Sequence, residues 1–384
     1  MTQRESGPSG ILLLDKPAGI TSHDLVARTR RALGTRKVGH AGTLDPMATG
    51  VMVLGAGAAT RLLTYIVGDD KEYLATIRLG VETNTEDAEG VVTAVAEPAA
   101  VDAVAGDPDR IARVMAALTG GIDQVPSAVS AIKVNGVRAY KRVRDGEDVE
   151  LPARRVTIAE FELVGRGEAH DADLPATSAG ATATTAADAE AGVGADPAAF
   201  APVPVSALPA SARVLDLDVR VACSSGTYVR ALARDLGRAL GTGAHLTALR
   251  RTRVGVLRIA DAVSVDAPDL AERLVSVEDA ACARFPVLDL DAQRAVDLGH
   301  GKTIEIEPGN VRGDAAAAPG APWAAMSPEG RLIGLVTVRG RRARSVLNMP
   351  QEQRPPKGAD AGTTGSPSSA SRPSSGGEDG GATA

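Results

Sequence analysis

From Leu215 to Cys223 the chain alternates strictly: Leu215, Leu217, Val219, Val221 and Cys223 on one side, Asp216, Asp218 and Arg220 on the other. Period-two patterning of this kind demands a strand with one buried face and one wet face. The strand passes through Ser224-Ser225-Gly226 into a segment whose Val229, Leu232, Leu236 and Leu240 recur at helical spacing. That stripe is the buried face of an amphipathic helix. One continuous stretch therefore supplies a half-buried strand and the helix that can cover it, which points to helices layered on a sheet.

The rest of the chain mixes such elements without a regular strand-helix-strand rhythm, which favours an α+β fold over a doubly wound parallel sheet. Ile11–Leu14 is a short apolar strand ending at Asp15-Lys16-Pro17. Ser22 is expected to cap a helix running to Leu33, with Gly34 in the terminating position. Thr60–Val67 reads as a second short helix and Tyr73–Leu79 as an alternating strand. Asp107-Pro108 opens a helix whose Ile111, Val114, Met115 and Leu118 share a face. Ala131–Val134 leads into an Asn135-Gly136 turn, and Val156–Val164 is a further strand. Leu332–Val338 is the clearest strand of a small β-rich unit beginning after about residue 286.

Two stretches cannot join a core. Residues 167–212 are rich in Ala, Thr, Pro and Asp, and residues 350–384 in Gly, Ser and Pro. Neither buries enough apolar surface to offset the entropy of ordering, so both are expected to be disordered, the first as an insertion in a connection. The expected organisation is a catalytic domain over 1–260 carrying that insertion, a β-rich region over 261–349 and a tail over 350–384.

The same insertion explains the charge. The chain carries a net −6, yet 167–212 holds six acids and no Lys or Arg, so the remainder is neutral with clustered cations. The clusters are Arg28, Arg30, Arg31, Arg36 and Lys37; Lys133, Arg138, Lys141, Arg142 and Arg144; Arg230, Arg234, Arg238, Arg250, Arg251 and Arg253; and Arg339, Arg341, Arg342 and Arg344. Brought together by folding, they could track a phosphate backbone. Two cysteines, Cys223 and Cys282, without metal-ligand spacing argue against a disulfide scaffold or zinc site and fit a reducing cytosol. Met1–Gly10 has no long apolar core and no segment is long enough to cross a bilayer, so a cytoplasmic protein is expected.

Three places concentrate chemistry. Gly39-His40-Ala41-Gly42-Thr43-Leu44-Asp45-Pro46-Met47-Ala48-Thr49-Gly50 sets a carboxylate on a glycine-punctuated loop between ordered segments, where Asp-Pro also suits a plain turn. Lys71-Glu72-Tyr73 opens a strand. Tyr73 fits its core face and a functional role about equally. Ser225-Gly226-Thr227-Tyr228-Val229-Arg230 spans a strand-to-helix junction. Arg230 there lies near a helix start, where the macrodipole prefers an acid; a buried carboxylate partner would account for it better, although a surface arginine is the commoner case.

The chain resembles the bacterial tRNA pseudouridine-55 synthases, the TruB type. The matching blocks run in family order: Gly10-Ile11-Leu12-Leu13-Leu14-Asp15-Lys16-Pro17, the Asp45 motif, Lys71-Glu72-Tyr73, and Asn84-Thr85-Glu86-Asp87-Ala88-Glu89-Gly90. They continue with Gln124-Val125-Pro126-Ser127, Ser130-Ala131-Ile132-Lys133, Gly226-Thr227-Tyr228-Val229-Arg230, and Gly243-Ala244-His245-Leu246 leading to Leu249-Arg250-Arg251. The resemblance implies a catalytic domain on a mostly antiparallel mixed sheet plus a small PUA-like RNA-binding region. It implies cofactor-free, metal-free isomerisation of one T-loop uridine of tRNA, by a monomer needing no protein partner or membrane. Asp45 is implied as the catalytic residue, Tyr73 as the platform for the base, and Arg230 as the partner of the aspartate. His40, Tyr228, Leu249 and Lys16 match positions around the flipped nucleotide. The glycines are expected to let the loop backbone lie close to RNA, and the acidic insertion to project away from the active face. A glycoside hydrolase fits less well, because hydrolysis usually needs a second acid in a comparably distinctive motif. A non-catalytic tRNA-binding module would need none of Asp45, Tyr73 and Arg230.

Overall fold

The alternating segment lies in the middle of a wide sheet. The computed structural model describes residues 7–127, 133–134, 137–138, 151–174, 208–312 and 321–350. The chain first builds β1 (Gly10–Lys16), α1 (Ser22–Ala32), β2 (Val38–His40) and β3 (Thr49–Ala56), then α2 (Leu63–Ile66) and β4 (Lys71–Leu79). β5 (Val81–Thr83) and β6 (Val92–Val95) pair as a hairpin, followed by α3 (Pro98–Ala105), α4 (Pro108–Ala117) and β7 (Gly120–Gln124). β8 (Lys133–Val134) and β9 (Val137–Arg138) pair on either side of the expected turn, whose Ala131, Ile132, Asn135 and Gly136 lie outside the described residues. β10 (Arg154–Arg166), β11 (His170–Asp173), β12 (Ser211–Cys223), α5 (Val229–Leu240), β13 (Ala244–Val254) and β14 (Leu257–Arg258) complete this part.

The main sheet runs β1-β3-β13-β4-β12-β10-β7, with β2 on β3, β11 on β12 and β14 on β13. Among the described pairings of this sheet only β3–β13 is parallel, giving the mostly antiparallel mixed sheet of an α+β fold. Leu217, Val219 and Val221 are fully buried on one face with Tyr73, Ala75 and Ile77 of β4, and α5 lays Val229, Leu232, Leu236 and Leu240 over them. The opposite face of β12 carries Asp216, which receives two hydrogen bonds from Arg78.

Several boundaries differ from the sequence expectation for identifiable reasons. Thr21, not Ser22, caps α1: its hydroxyl accepts the Asp24 N–H, and the Asp24 carboxylate accepts the Thr21 N–H in a capping box. Gly34 is left-handed just beyond the helix, as expected. Thr60–Val67 divides into a 3-10 turn over Gly57–Arg61 and the short α2.

The insertion is narrower than 167–212. Gly167 donates to the Asp216 carbonyl, β11 pairs with Ser211–Val214, and Leu174 donates to the Ala210 carbonyl. Ala172, Leu174 and Leu208 also pack with Val81, Val92 and Val214, which the low hydrophobicity of the whole stretch conceals. The remainder, 175–207, lies outside the described residues, as does 351–384. The stem of this hairpin leaves β12 at Val214, seven residues from the Val221 that pairs with Tyr73, or roughly 23 Å along the strand.

A second sheet follows α6 (Val277–Arg284): β15 (Val287–Asp289), α7 (Ala292–Gly299), β16 (Ile304–Glu305), β17 (Val311–Arg312), β18 (Trp323–Met326), β19 (Leu332–Arg339) and β20 (Arg342–Asn348), in spatial order β16-β20-β19-β18-β15-β17. The division expected at 260/261 falls later. Val263 exchanges hydrogen bonds with the β1 edge at Leu13 and Asp15, and Val275 with Ile11. Residues 261–285 thus line the first sheet, and the second begins at Val287. The outer faces of β1 and β3 (Ile11, Leu13, Val51, Val53) share one apolar layer with Val277, Phe285, Met326 and Leu335.

Leu232 is fully buried between α5 and the sheet. Leu232→Ala is expected to cost about 2–5 kcal/mol in urea unfolding. A loss below about 0.5 kcal/mol would mean that α5 is not seated as described.

Candidate active site

Asp45 stands on the loop between β2 and β3, and three buried side chains pin that loop. Ser22, in the first turn of α1, donates to the Leu44 carbonyl and accepts the Leu44 N–H, both at 2.9 Å. Lys16, at the end of β1, donates to the carbonyls of Ala48 (2.6 Å), Pro46 (3.0 Å) and Pro17 (3.0 Å). Arg251, on β13, donates to the carbonyls of Val51 (2.8 Å), Gly42 (3.3 Å) and Thr43 (3.4 Å). The Asp-Pro turn is present, with the Ala48 N–H reaching the Asp45 carbonyl at 3.1 Å. The turn reading and the functional reading of Asp45 therefore coexist.

Arg230, the second residue of α5, meets that loop. Its Nε donates to Asp45 Oδ2 at 2.9 Å and lies 3.6 Å from Asp87 Oδ2. Nη1 reaches the Thr85 carbonyl at 2.7 Å and Ser127 Oγ at 3.3 Å. The arginine side chain is 5% exposed and the Asp45 side chain 36%. The cation is thus the fixed, buried member of the pair and the carboxylate is the accessible one. A guanidinium at a helix N-terminus is disfavoured by the dipole and by desolvation, and two carboxylates offset both costs. Asp87 is itself held by Thr85 Oγ1 at 2.6 Å and the Glu89 N–H at 3.1 Å.

The start of α5 is set by Gln124 at the end of β7. Its buried amide accepts the Tyr228 N–H at 2.9 Å and donates to the Tyr228 carbonyl at 3.1 Å. Tyr228, half-buried, is the N-cap position of α5. Tyr73 sits on β4 opposite Val221 on one side and Arg251 on the other, and is 7% exposed. Burial pushes its phenol above the usual range, with the nearby Arg251 guanidinium opposing. Leu249 faces Ala75 on the same side of the sheet and belongs to the same apolar cluster as Tyr73.

His40 ends β2, with its ring edge-on to His23 of α1 at 5.9 Å. Burial, then His23, holds its pKa below the ordinary value, so the imidazole is neutral near neutral pH. Its Nδ1 is buried without a hydrogen-bond partner among the described residues. Lys16 is fully buried and bonded to backbone, so it reaches the site only through the loop it holds. Glu89 is exposed, with its carboxyl pushed up by burial and by the charges of Asp87 and Asp45.

Arg230 meets Asp45 directly, and Tyr73 stands as the cross-strand neighbour of Arg251, which holds the Asp45 loop. Ser22, Asp87, Gln124 and Arg251 were not singled out for their roles. Asp87 and Gln124 lie inside motif blocks, but only the fold shows that they meet α5. The third basic cluster is largely ion-paired within the chain: Arg234 pairs with Glu86 at 2.6 Å, Arg250 with Asp15 at 2.7 Å and Arg238 with Glu82 at 3.5 Å. The glycines serve protein packing too. At Gly50 (φ +105°) a Cβ would lie 2.2 Å from the Arg251 carbonyl oxygen, so only glycine permits β3 and β13 to pair there.

Comparison with known proteins gives concordant findings. The family model described as TruB family pseudouridylate synthase (N terminal domain) matches residues 30–181. Models for the tRNA pseudouridylate synthase B C-terminal domain and for tRNA Pseudouridine synthase II, C terminal, match 230–288 and 285–350. The chain is 48% identical over 345 residues to tRNA pseudouridine synthase B of Leifsonia xyli subsp. xyli, covering 90% of this chain and 98% of that protein. It is 49% identical over 352 residues to the protein of that name in Arthrobacter sp. (strain FB24), covering 91% and 99%. Among solved structures, one described as a Cbf5-Nop10-Gar1 complex has a similar fold, with a TM-score of 0.56 at 22% identity over 89% of this chain and 84% of that one.

Burial lowers the Lys16 pKa from 10.5 to about 8, with Asp45 and Glu89 opposing the shift. Between those two values the unfolded chain binds the extra proton, so this group makes stability rise with pH from about 8 to about 10.5. Urea midpoints across that window are expected to climb more steeply for the wild type than for Lys16→Met. Parallel profiles would contradict the burial of a lysine cation beneath the loop.

Proposed function

Because this chain belongs to the TruB family of tRNA pseudouridine synthases, we propose that it isomerises uridine 55 of the T loop, with Asp45 as the catalytic carboxylate. It is an isomerase, converting uridine in tRNA to pseudouridine. The observation that carries the site assignment is the 2.9 Å bond from buried Arg230 to exposed Asp45, on a loop braced by Ser22, Lys16 and Arg251.

The reaction breaks the N1–C1′ bond, with the electron pair leaving on the uracil. Asp45 either attacks C1′, forming an ester that C5 later displaces, or removes a sugar proton to give a glycal that C5 then adds to. In the glycal route the abstracted proton returns to C2′ as C5 adds to C1′; in both routes the C5 proton is lost, N1 regains a proton, and no atoms are gained overall. Arg230 holds the Asp45 carboxylate aimed through its 2.9 Å bond. Tyr73, whose phenol stays protonated, offers a flat surface on which the detached base can turn, and Leu249 extends the apolar wall beside it. The target must leave its stack, at a cost of roughly a few kcal/mol. His40, neutral and with an unsatisfied Nδ1, is suited to hydrogen-bond or replace the displaced base. Tyr228 lines the same approach. Lys16 acts by fixing the loop.

Affinity for the T arm would come from phosphate contacts. Exposed Arg30, Arg31, Arg36 and Lys37 follow α1, and Arg339, Arg342 and Arg344 line a groove of about 550 Å³ on the second sheet. These support an RNA-binding role for the C-terminal region. Among the described residues no helix is long and apolar enough to cross a membrane. The reading places the protein in the cytoplasm, where its tRNA is processed, acting as a monomer without protein partner or cofactor.

With unmodified tRNA transcript labelled with tritium at uridine C5, the wild type is expected to release one equivalent, from the T-loop position. Asp45→Asn should reduce release to background while tRNA affinity stays within about threefold. Full turnover by Asp45→Asn would remove the aspartate from the mechanism. Release from another uridine would remove the assigned substrate position.

A further inference from the structure

Arg251 is the largest fully buried side chain of the described residues, 1% exposed, and no carboxylate answers its charge among them. Buried guanidinium groups are normally paired with acids, because taking the cation out of water is costly unless its charge is answered. Here the partners are three backbone carbonyls and the Met52 sulfur at 3.0 Å. Arg250 beside it has an ordinary ion pair with Asp15. A neutral side chain would serve packing at lower cost, so the unpaired cation calls for a role.

The placement of those partners supplies one. Gly42 and Thr43 are the third and second residues before Asp45, and Arg251 holds both of their carbonyls. Val51 and Met52, on β3, fix where the loop ends. On β13, Arg251 stands directly opposite Tyr73. One residue therefore binds the loop that carries the carboxylate and sits as the cross-strand neighbour of the ring assigned to carry the base. One glycine of the motif makes room for it: Gly50, where any Cβ would strike the Arg251 backbone.

We propose that Arg251 is a positioning residue that sets the gap between Asp45 and Tyr73. It touches no substrate and acts through the Gly42–Thr43 backbone and its cross-strand place opposite Tyr73. Lysine keeps the charge but presents no fork of fixed geometry, so it cannot hold the Gly42, Thr43 and Val51 carbonyls together. The proposal rests on the assignment of Asp45 and Tyr73 as the reacting pair.

The test is single-turnover pseudouridine formation with the full-length enzyme in excess over tRNA transcript, alongside tRNA binding and thermal melting, for Arg251→Lys and Arg251→Gln. A displacement of roughly 1 Å in a reacting group can cost about a hundredfold in rate. The single-turnover rate is expected to fall about a hundredfold for Arg251→Gln and about tenfold for Arg251→Lys, with tRNA affinity within about threefold of wild type in both. If Arg251→Gln does not fold, Arg251→Lys decides the matter. A wild-type rate in Arg251→Lys would overturn the proposal. So would a loss of rate matched by an equal loss of binding, or failure of both variants to fold, since each marks a purely structural strut. Asp45→Asn is run in parallel: turnover there would sink the assignment of the reacting pair, a different failure from normal turnover in the Arg251 variants.

Discussion

The site depends on a buried cation being placed before the carboxylate that it serves. Arg230 is enclosed by Asp87, Thr85 and Ser127, and its bond to Asp45 reaches an accessible carboxylate. Removing either acid would leave the guanidinium under-compensated in a desolvated place, a situation that costs about 3–5 kcal/mol where it has been measured. The constraint propagates outward. α5 must start where Gln124 clamps Tyr228, and β7 must reach that point at the far edge of the sheet. The Asp45 loop must then arrive from the other end, across β3 and β13.

Order in the loop has the same origin on the opposite side. Lys16 and Arg251 bring two further cations beneath an eight-residue turn and give them carbonyls rather than acids. Carbonyl dipoles solvate these cations without adding negative charge that would compete with Asp45 for Arg230. The backbone then has little freedom left, while the carboxylate stays open. The β-rich C-terminal unit bears on this frame as well. It shares an apolar layer with β1 and β3, and in the α6 that precedes it Arg284 pairs bidentately with Asp69, two residues before the strand that carries Tyr73.

Much of this was legible in the residues. Period-two and helical spacing located β4, β12, α4 and α5, because each has one face in the core and one in water. Asp45, Tyr73 and Arg230 stood out because their types were unexpected in their local settings or fell in ordered motif blocks. What escaped depends on tertiary partners. Thr21 and Ser22 are adjacent hydroxyls that both suit a cap, and only the presence of Leu44 shows that Ser22 is used elsewhere. Arg251 and Arg234 read as surface charge because burial of an arginine leaves no periodic trace. The β11–β12 ladder was hidden within an acidic, alanine-rich stretch because it is stabilised by backbone pairing more than by large apolar side chains.

The account turns on Asp45, rather than any neighbouring acid, facing the ribose while the base lies on Tyr73. A crystal structure with a T-arm hairpin carrying 5-fluorouridine at the target position, whose C5 has no proton to lose, would show this directly. The account predicts the Asp45 carboxylate as the acid nearest C1′, still bonded to Arg230, with the pyrimidine ring against Tyr73. A ribose closest to Glu89 or Asp87, or a base seated away from Tyr73, would contradict it.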